Sequence, residues 1–209
     1  MDTPLNFFLE AYKDTSTGFI VLEAVAFTFG IASVIYAKKA NIWVYPTGLI
    51  ATAITVYLLY KAQYFGDMMM NFYYSVMSIY GWYNWSKKKN KPVIPITRTN
   101  TKEKRIGVLL FLLTMVVTFM VYTFFGYTLA LPNYIDIVTS GIFFTAMWYM
   151  ATKKLENWTL WIIADVITVP LYAYRGLGML SLQYLLFTIL AIQGYIAWKK
   201  ALNNTLETS

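Results

Sequence analysis

The stretch KKLENWTLWIIADVITVPLYAY, residues 153–174, decides the fold, because it is long enough to cross a bilayer and too polar to face lipid throughout. On a helix, Asn157, Trp161 and Asp165 follow one another at every fourth residue and form one stripe, with Trp158 beside them. A carboxylate near the bilayer centre costs about 2.5–3.5 kcal/mol on insertion scales, so its surroundings must compensate it. The pattern predicts a spanning helix whose polar stripe lines a cavity.

The rest of the chain is also strongly apolar. Its 209 residues are 58% hydrophobic and 19% aromatic, and only 13% are charged. This composition is typical of an integral membrane protein, and the length predicts about seven spans of roughly 20 residues without a separate soluble domain. The net charge of +7 indicates membrane topology and not nucleic-acid binding, because the basic residues lie in short loops between apolar runs.

The missing residue types also narrow the function. Cysteine and histidine are both absent, which removes thiolate nucleophiles, imidazole bases, disulfides and most transition-metal sites. The sequence therefore disfavours an enzyme and predicts no metal and no cofactor. Residues 1–17 carry acidic side chains and only Lys13, so we expect no cleavable signal peptide there. We expect residues 1–17 to lie on the extracytoplasmic side, for the reason given below, either as an amphipathic surface helix or as a disordered segment.

Apolar runs and basic boundaries predict seven transmembrane helices. Residues 86–105 are expected to form a basic cytoplasmic loop, and residues 199–209 a short cytoplasmic tail. The fourth span is almost wholly apolar and is predicted to be a lipid-exposed linker. The predicted spans are 18–37, 43–60, 64–85, 106–126, 134–151, 153–174 and 177–198.

The basic residues also predict the orientation. All of the 17 except Lys13, Lys61 and Arg175 follow the odd-numbered spans. Loops rich in Lys and Arg remain on the cytoplasmic side of a membrane. The N-terminus is therefore expected outside and the C-terminus in the cytoplasm.

An internal repeat is visible when spans two and three are aligned with spans six and seven. Trp43 and Trp158 lie near the starts of the aligned segments, and each segment ends on a glycine four residues before a tryptophan: Gly81 and Trp85, Gly194 and Trp198. Residues 18–85 and 134–198 are therefore predicted to be two parallel three-helix repeats, an all-α 3+1+3 arrangement. Such repeats place a substrate site near the bilayer midplane, at their interface.

Further candidates for substrate binding lie on other polar faces. Asn71 and Gln183 belong to spans three and seven, and Trp43 begins span two. Each has a structural alternative: interhelical hydrogen bonding for the two amides, and the interfacial aromatic belt for Trp43 and for Trp158.

The central stripe has structural alternatives as well. Asn157 stands where a helix cap is expected, and Asp165 is suited to a hydrogen bond or ion pair within the bundle. A cavity lined by rings, amides and a carboxylate suits a small aromatic, hydroxylated or cationic solute, because aromatic faces attract cations.

Four stretches resemble the PnuC family of vitamin-precursor transporters: WVYPTGLI (43–50), DMMMNFYYSVMSIYGWYNW (67–85), ENWTLW…D (156–165) and SLQYLLFTILAIQGYIAWKK (181–200). The most specific mark is N-W-x-x-W at 157–161. The resemblance implies a SWEET-like fold in the bacterial inner membrane. It also implies facilitated uptake of nicotinamide riboside, trapping by a separate kinase, and substrate binding by Asn157, Trp158 and Trp161.

The same resemblance leaves alternatives open. Related members carry thiamine, for which Glu156 would be an acid beside the motif, and some members associate as homotrimers. Proton coupling through Asp165 or Asp67 is an alternative to simple facilitated diffusion. An enzyme or a purely structural membrane protein are the competing classes.

Overall fold

The fold is described from a computed structural model, which covers residues 16–61, 65–86, 94–126, 128–174 and 178–207; the side chains of residues 65–67, 178–180 and 205–207 are not described. Asp67 and Arg175 thus lie outside the described side chains. The described residues form seven helices: α1 (Thr17–Lys38), α2 (Val44–Lys61), α3 (Phe65–Trp85), α4 (Thr101–Phe124), α5 (Leu131–Ala151), α6 (Glu156–Tyr174) and α7 (Gly178–Glu207).

Three helix boundaries differ from the sequence prediction. Helix α4 begins inside the stretch expected to be a loop, because the side chains of Asn100 and Glu103 each accept a hydrogen bond from the other's backbone N–H at 2.9 Å. Helix α6 begins at Glu156, three residues after the predicted start of its span, and it continues through Pro170. Helix α7 continues to Glu207, so most of the predicted polar tail is helical.

Consecutive helices pack together within two groups, α1–α3 and α5–α7, and α4 packs on α5. The groups meet where α1 contacts α7 and where α3 contacts α5. Helices α4 and α5 approach closely at Gly141, where an added Cβ would be 2.7 Å from the Phe111 ring. The other side of α4 exposes large apolar side chains such as Leu109 and Met120.

Length and hydropathy identify three helices that are apolar enough to cross a membrane: α1, α4 and Ser181–Asn204 within α7. Helices α5 and α6 carry more buried polar residues, including Thr139, Asn157 and Asp165, which lowers their hydropathy. Such residues are tolerated in a membrane bundle because they face protein and not lipid.

The turn between α1 and α2 has the same hydrogen bonds as the turn between α5 and α6. Asn41 N donates to Tyr36 O at 2.9 Å, and Lys154 N donates to Tyr149 O at 2.9 Å. Both turns also contain a non-glycine residue in the left-handed region, Ala40 (φ 49°) and Lys153 (φ 55°). The sequence repeat therefore has a counterpart in backbone geometry.

The shift along the sequence that aligns these two turns also aligns Gly81 with Gly194 and Trp85 with Trp198, as expected from the sequence repeat. It pairs Trp158 with Tyr45, however, so the alignment of Trp43 with Trp158 was wrong by two residues. The backbone turns set the register, and the tryptophan near each helix start does not.

Four buried rings form a continuous row, which we call the ring chain: Tyr45, Trp85, Trp198 and Trp158. Successive centroids are 5.1, 6.0 and 5.6 Å apart, and the two outer contacts are edge-to-face, at 85° and 89°. Because the row alternates between α2, α3, α7 and α6, it joins the two helix groups. It lies within the main hydrophobic core.

Candidate functional site

Five rings from four helices surround the middle of α6. We call them the aromatic cluster: Tyr74 of α3, Phe143 of α5, Trp161 and Tyr172 of α6, and Tyr184 of α7. Trp161 is 5.5 Å from Phe143 and 6.2 Å from Tyr74 between centroids, and Tyr184 is 5.9 Å from Phe143 and 5.3 Å from Tyr172. The cluster therefore joins both helix groups.

The neighbouring residues fix the approach of α3 to α5. Tyr73 stacks on Phe144 with centroids 3.4 Å apart and planes 11° from parallel. Its hydroxyl also donates to Phe144 O at 3.0 Å. Because Tyr74 and Phe143 are sequence neighbours of this pair, the stacking holds both of them beside Trp161.

Asp165 lies one helical turn from Trp161 on α6 and is 2% exposed. No described residue donates a hydrogen bond to its carboxylate; nearby, the Thr168 hydroxyl donates to Ala164 O. A buried carboxylate without such donors favours a proton or an organic cation as its partner.

Asn157 is the second residue of α6 and is fully buried. Its amide nitrogen donates to Lys154 O, which fastens the turn to the helix start. Its Oδ1 atom has no hydrogen-bond partner among the described residues. The side chain therefore does not cap the helix through its oxygen, which was the structural alternative, and it has an acceptor that it does not use.

Trp158 belongs to the ring chain. It packs edge-to-face on Trp198 and over Gly194, and it is 2% exposed. Its described ring contact is with Trp198 and not with Trp161. The two tryptophans of the N-W-x-x-W motif are therefore divided between the ring chain and the aromatic cluster.

The three remaining candidates have different settings. Asn71 is partly buried on α3, three residues before Tyr74, and Gln183 is partly buried on α7 next to Tyr184. Trp43 lies in the turn before α2 and is 58% exposed. Asn71 and Gln183 thus lie on the same helices as cluster residues and close to them along the chain. Trp43 lies at the surface.

Sequence patterns alone do not single out Phe143, Tyr172 or Tyr184. An isolated aromatic residue in an apolar helix has no signal that separates a site from a core. The weak signal available was spacing: Phe143 follows Thr139 by four residues and so shares a helix face with a polar side chain.

Comparisons with known proteins agree with this architecture. The chain is 30% identical over 191 residues to the nicotinamide riboside transporter PnuC of Neisseria mucosa, covering 86% of this chain and 72% of the relative. It is 25% identical over 201 residues to the protein of that name from Escherichia coli K12, covering 85% and 84%. The structure also superposes on the crystal structure of the vitamin B3 transporter PnuC with a TM-score of 0.70, at 23% identity, covering 96% of this chain and 90% of that one.

The last comparison is one of fold alone and agrees with the all-helical architecture. The family model described as nicotinamide mononucleotide transporter matches residues 20–200, which is most of the chain. The protein is therefore a multi-pass membrane protein that belongs to the nicotinamide mononucleotide transporter family.

Proposed function

We propose that this protein takes up nicotinamide riboside across the bacterial inner membrane by facilitated diffusion, with no enzymatic step of its own. The observation that carries the proposal is Trp161 in an aromatic cluster, one turn from the buried carboxylate of Asp165. Nicotinamide riboside has a cationic pyridinium ring and a hydroxylated sugar. Aromatic faces attract such a ring by about 2 kcal/mol or more when water is excluded, and the carboxylate adds charge complementarity.

The charge of the cluster favours the riboside over the mononucleotide in the family's description. A phosphate group adds about −1.5 to −2 charge at neutral pH. The five cluster residues are uncharged rings and offer a phosphate no basic side chain. The described carboxylate beside them, that of Asp165, would repel a phosphate. Trapping inside the cell would then require phosphorylation by a separate cytoplasmic kinase.

The proposed architecture is 3+1+3: α1–α3 and α5–α7 are parallel repeats, and α4 is the linker. The equivalent turns at Ala40 and Lys153 support it. The ends of α1, α3 and α5 lie at the level of Trp198 in α7. Trp85 of α3 donates to Ala151 O of α5, Trp198 donates to Ala37 O of α1, and the two tryptophan rings are in contact.

These ends carry the lysines that favour the cytoplasmic side: Lys38, Lys39, Lys153, Lys154, Lys199 and Lys200. The N-terminus is therefore proposed to lie outside and the C-terminus in the cytoplasm. Association as a homotrimer is also proposed, from the family resemblance, and light scattering of the purified protein would measure it.

Thiamine is the less favoured substrate of the same class. Glu156, the acid beside the motif, accepts a hydrogen bond from Thr99 N at 2.9 Å through Oε2. Because it ties the 94–100 segment to α6, this carboxylate has a structural role outside the aromatic cluster.

Proton coupling is a second candidate, and the buried carboxylate of Asp165 is the observation that favours it. A uniporter saturates without an ion gradient. Uptake into vesicles that lack the kinase should therefore persist with a protonophore. Strict loss of uptake under those conditions would support coupling.

Calorimetric titration tests the substrate assignment directly. We expect purified protein to bind nicotinamide riboside and to bind thiamine much more weakly. Trp161→Ala should lose binding, whereas Trp82→Ala, at a tryptophan that is 42% exposed, should keep it. Equal heats for the parent and Trp161→Ala would remove Trp161 from the site.

A further inference from the structure

We propose that the ring chain is the cytoplasmic gate of the transporter, held shut by hydrogen bonds from Trp85 and Trp198. This inference rests on the proposed function, which supplies the two repeats, the side of the membrane and the movement of the repeats apart during transport. The gate residues are distinct from the aromatic cluster, which lies further along α6.

The hydrogen bonds cross between the repeats in both directions. Trp85 Nε1, on α3, donates to Ala151 O at the end of α5 at 3.1 Å. Trp198 Nε1, on α7, donates to Ala37 O near the end of α1 at 2.9 Å. The third helix of each repeat thus holds the first helix of the other. The repeats cannot separate at this end without breaking both bonds.

The packing closes the space between these bonds. Tyr45, Trp85, Trp158 and Trp198 are each 2% exposed or less. Tyr45 lies against Gly81, and Trp158 against Gly194, where side chains larger than hydrogen would overlap the rings. Rings that are buried and packed this closely leave no path for a solute between them.

The same rings contain features that favour opening. The Tyr45 hydroxyl and Trp158 Nε1 are buried without hydrogen-bond partners among the described residues. Leaving a polar group in this state disfavours the closed form, and water entering an open gate would satisfy both groups. The two tryptophan hydrogen bonds, together with one from Asn84 to Ala151 O, hold the gate, and two unsatisfied groups oppose it. Such a balance suits an element that opens in every transport cycle.

The two tryptophan hydrogen bonds of the gate differ in the residue that precedes the tryptophan. Asn84 Nδ2 also donates to Ala151 O, at 2.9 Å, so this carbonyl keeps a side-chain donor when Trp85 is replaced. The equivalent position on α7 is Ala197, which has no side-chain donor. Loss of the Trp198 bond should therefore open the gate more than loss of the Trp85 bond.

The absence of cysteine allows a direct test with an introduced thiol. Ala191 is 2% exposed, lies on the same face of α7 as Gly194 and Trp198, and is about two turns deeper than Trp198. Ala191→Cys would report gate opening through its reaction with a membrane-impermeant maleimide. The vesicles must present this end of the protein to the reagent. Ready labelling of Lys200→Cys, at an exposed residue of the same end, identifies vesicles with that orientation.

In this background we expect Trp198→Phe to raise the labelling rate about fivefold, as the loss of one hydrogen bond predicts, and Trp85→Phe to raise it less. Both replacements keep a ring and remove the donor. Trp82→Phe, at an exposed tryptophan on α3, is the matched control and should leave the rate unchanged.

A second variant gives a change of opposite sign. Tyr45→Phe removes the unsatisfied hydroxyl and should slow the labelling, which a merely destabilised protein would not do. Unchanged rates in Trp198→Phe and Tyr45→Phe would overturn the gate. Labelling is measured without substrate, so a failure of nicotinamide riboside to bind in calorimetry would overturn the proposed function and leave the gate standing.

Discussion

The ring of Trp158 lies so close to Gly194 that a Cβ added to this glycine would be 2.6 Å from the ring. Helices α6 and α7 therefore meet at a distance that only glycine permits. Tyr45 and Gly81 have the same relationship between α2 and α3. Each of the two helix groups thus uses one glycine to seat one member of the ring chain.

Gly194→Ala should destabilise the protein by about 1–3 kcal/mol, because overpacking a buried ring contact forces the helices apart. The melting temperature in detergent measures this effect. Gly30→Ala is the matched control, since its Cβ would be 3.7 Å from Phe187, an ordinary contact. Equal melting temperatures for the two variants would contradict the packing argument.

Phe143→Leu tests a cluster residue that the sequence did not indicate. Leucine keeps an apolar side chain but loses the ring beside Trp161, so nicotinamide riboside affinity should fall about three- to tenfold, in line with an aromatic contact of about 0.5–1.5 kcal/mol. Phe119→Leu, on the exposed side of α4, should bind like the parent. Parent-like affinity in Phe143→Leu would place this ring outside the site.

Asp165→Asn tests the charge complementarity. We expect affinity for cationic nicotinamide riboside to fall tenfold or more, about 1.4 kcal/mol, because the variant lacks the negative charge. Affinity for the neutral dihydronicotinamide riboside, which has nearly the same shape, should change little. A similar loss for both ligands would show that Asp165 acts through structure and not through charge.

Lys153 predicts a dependence of stability on pH. Its side chain is 5% exposed, with Nζ 4.3 Å from the centroid of the Trp85 ring. Burial lowers the pKa of Lys153 below its usual 10.5. Between the folded-state value and 10.5 the unfolded chain binds more protons than the folded chain, so this residue makes stability rise with pH in that window.

Lys153→Met should remove this contribution. Between pH 7 and pH 10, the melting temperature of the variant should rise less, or fall more, with pH than that of the parent. Lys39→Met, at an exposed lysine in the equivalent turn, should follow the parent. Parallel curves for the parent and Lys153→Met would show that the buried ammonium does not titrate in this range.

Much of the fold was predictable from local pattern. Apolar runs of spanning length and lysines at their ends marked all seven helices, because hydrocarbon thickness fixes span length and charges stay outside it. The boundaries that differed depended on local hydrogen bonds. The Asn100–Glu103 capping box starts α4 early, and the basic residues at the end of α7 did not stop that helix.

The site was only partly predictable, and Trp158 and Trp161 show why. The sequence by itself determined that both lie near the start of one helix, close to Asn157 and Asp165, since helical periodicity fixes which side chains share a face. Only the tertiary structure decided what each face meets: Gly194 and Trp198 for Trp158, and Phe143 and Tyr74 for Trp161. Periodicity is a property of one helix, whereas contacts depend on the register and approach of its neighbours, which glycines and stacked rings distant in sequence set together.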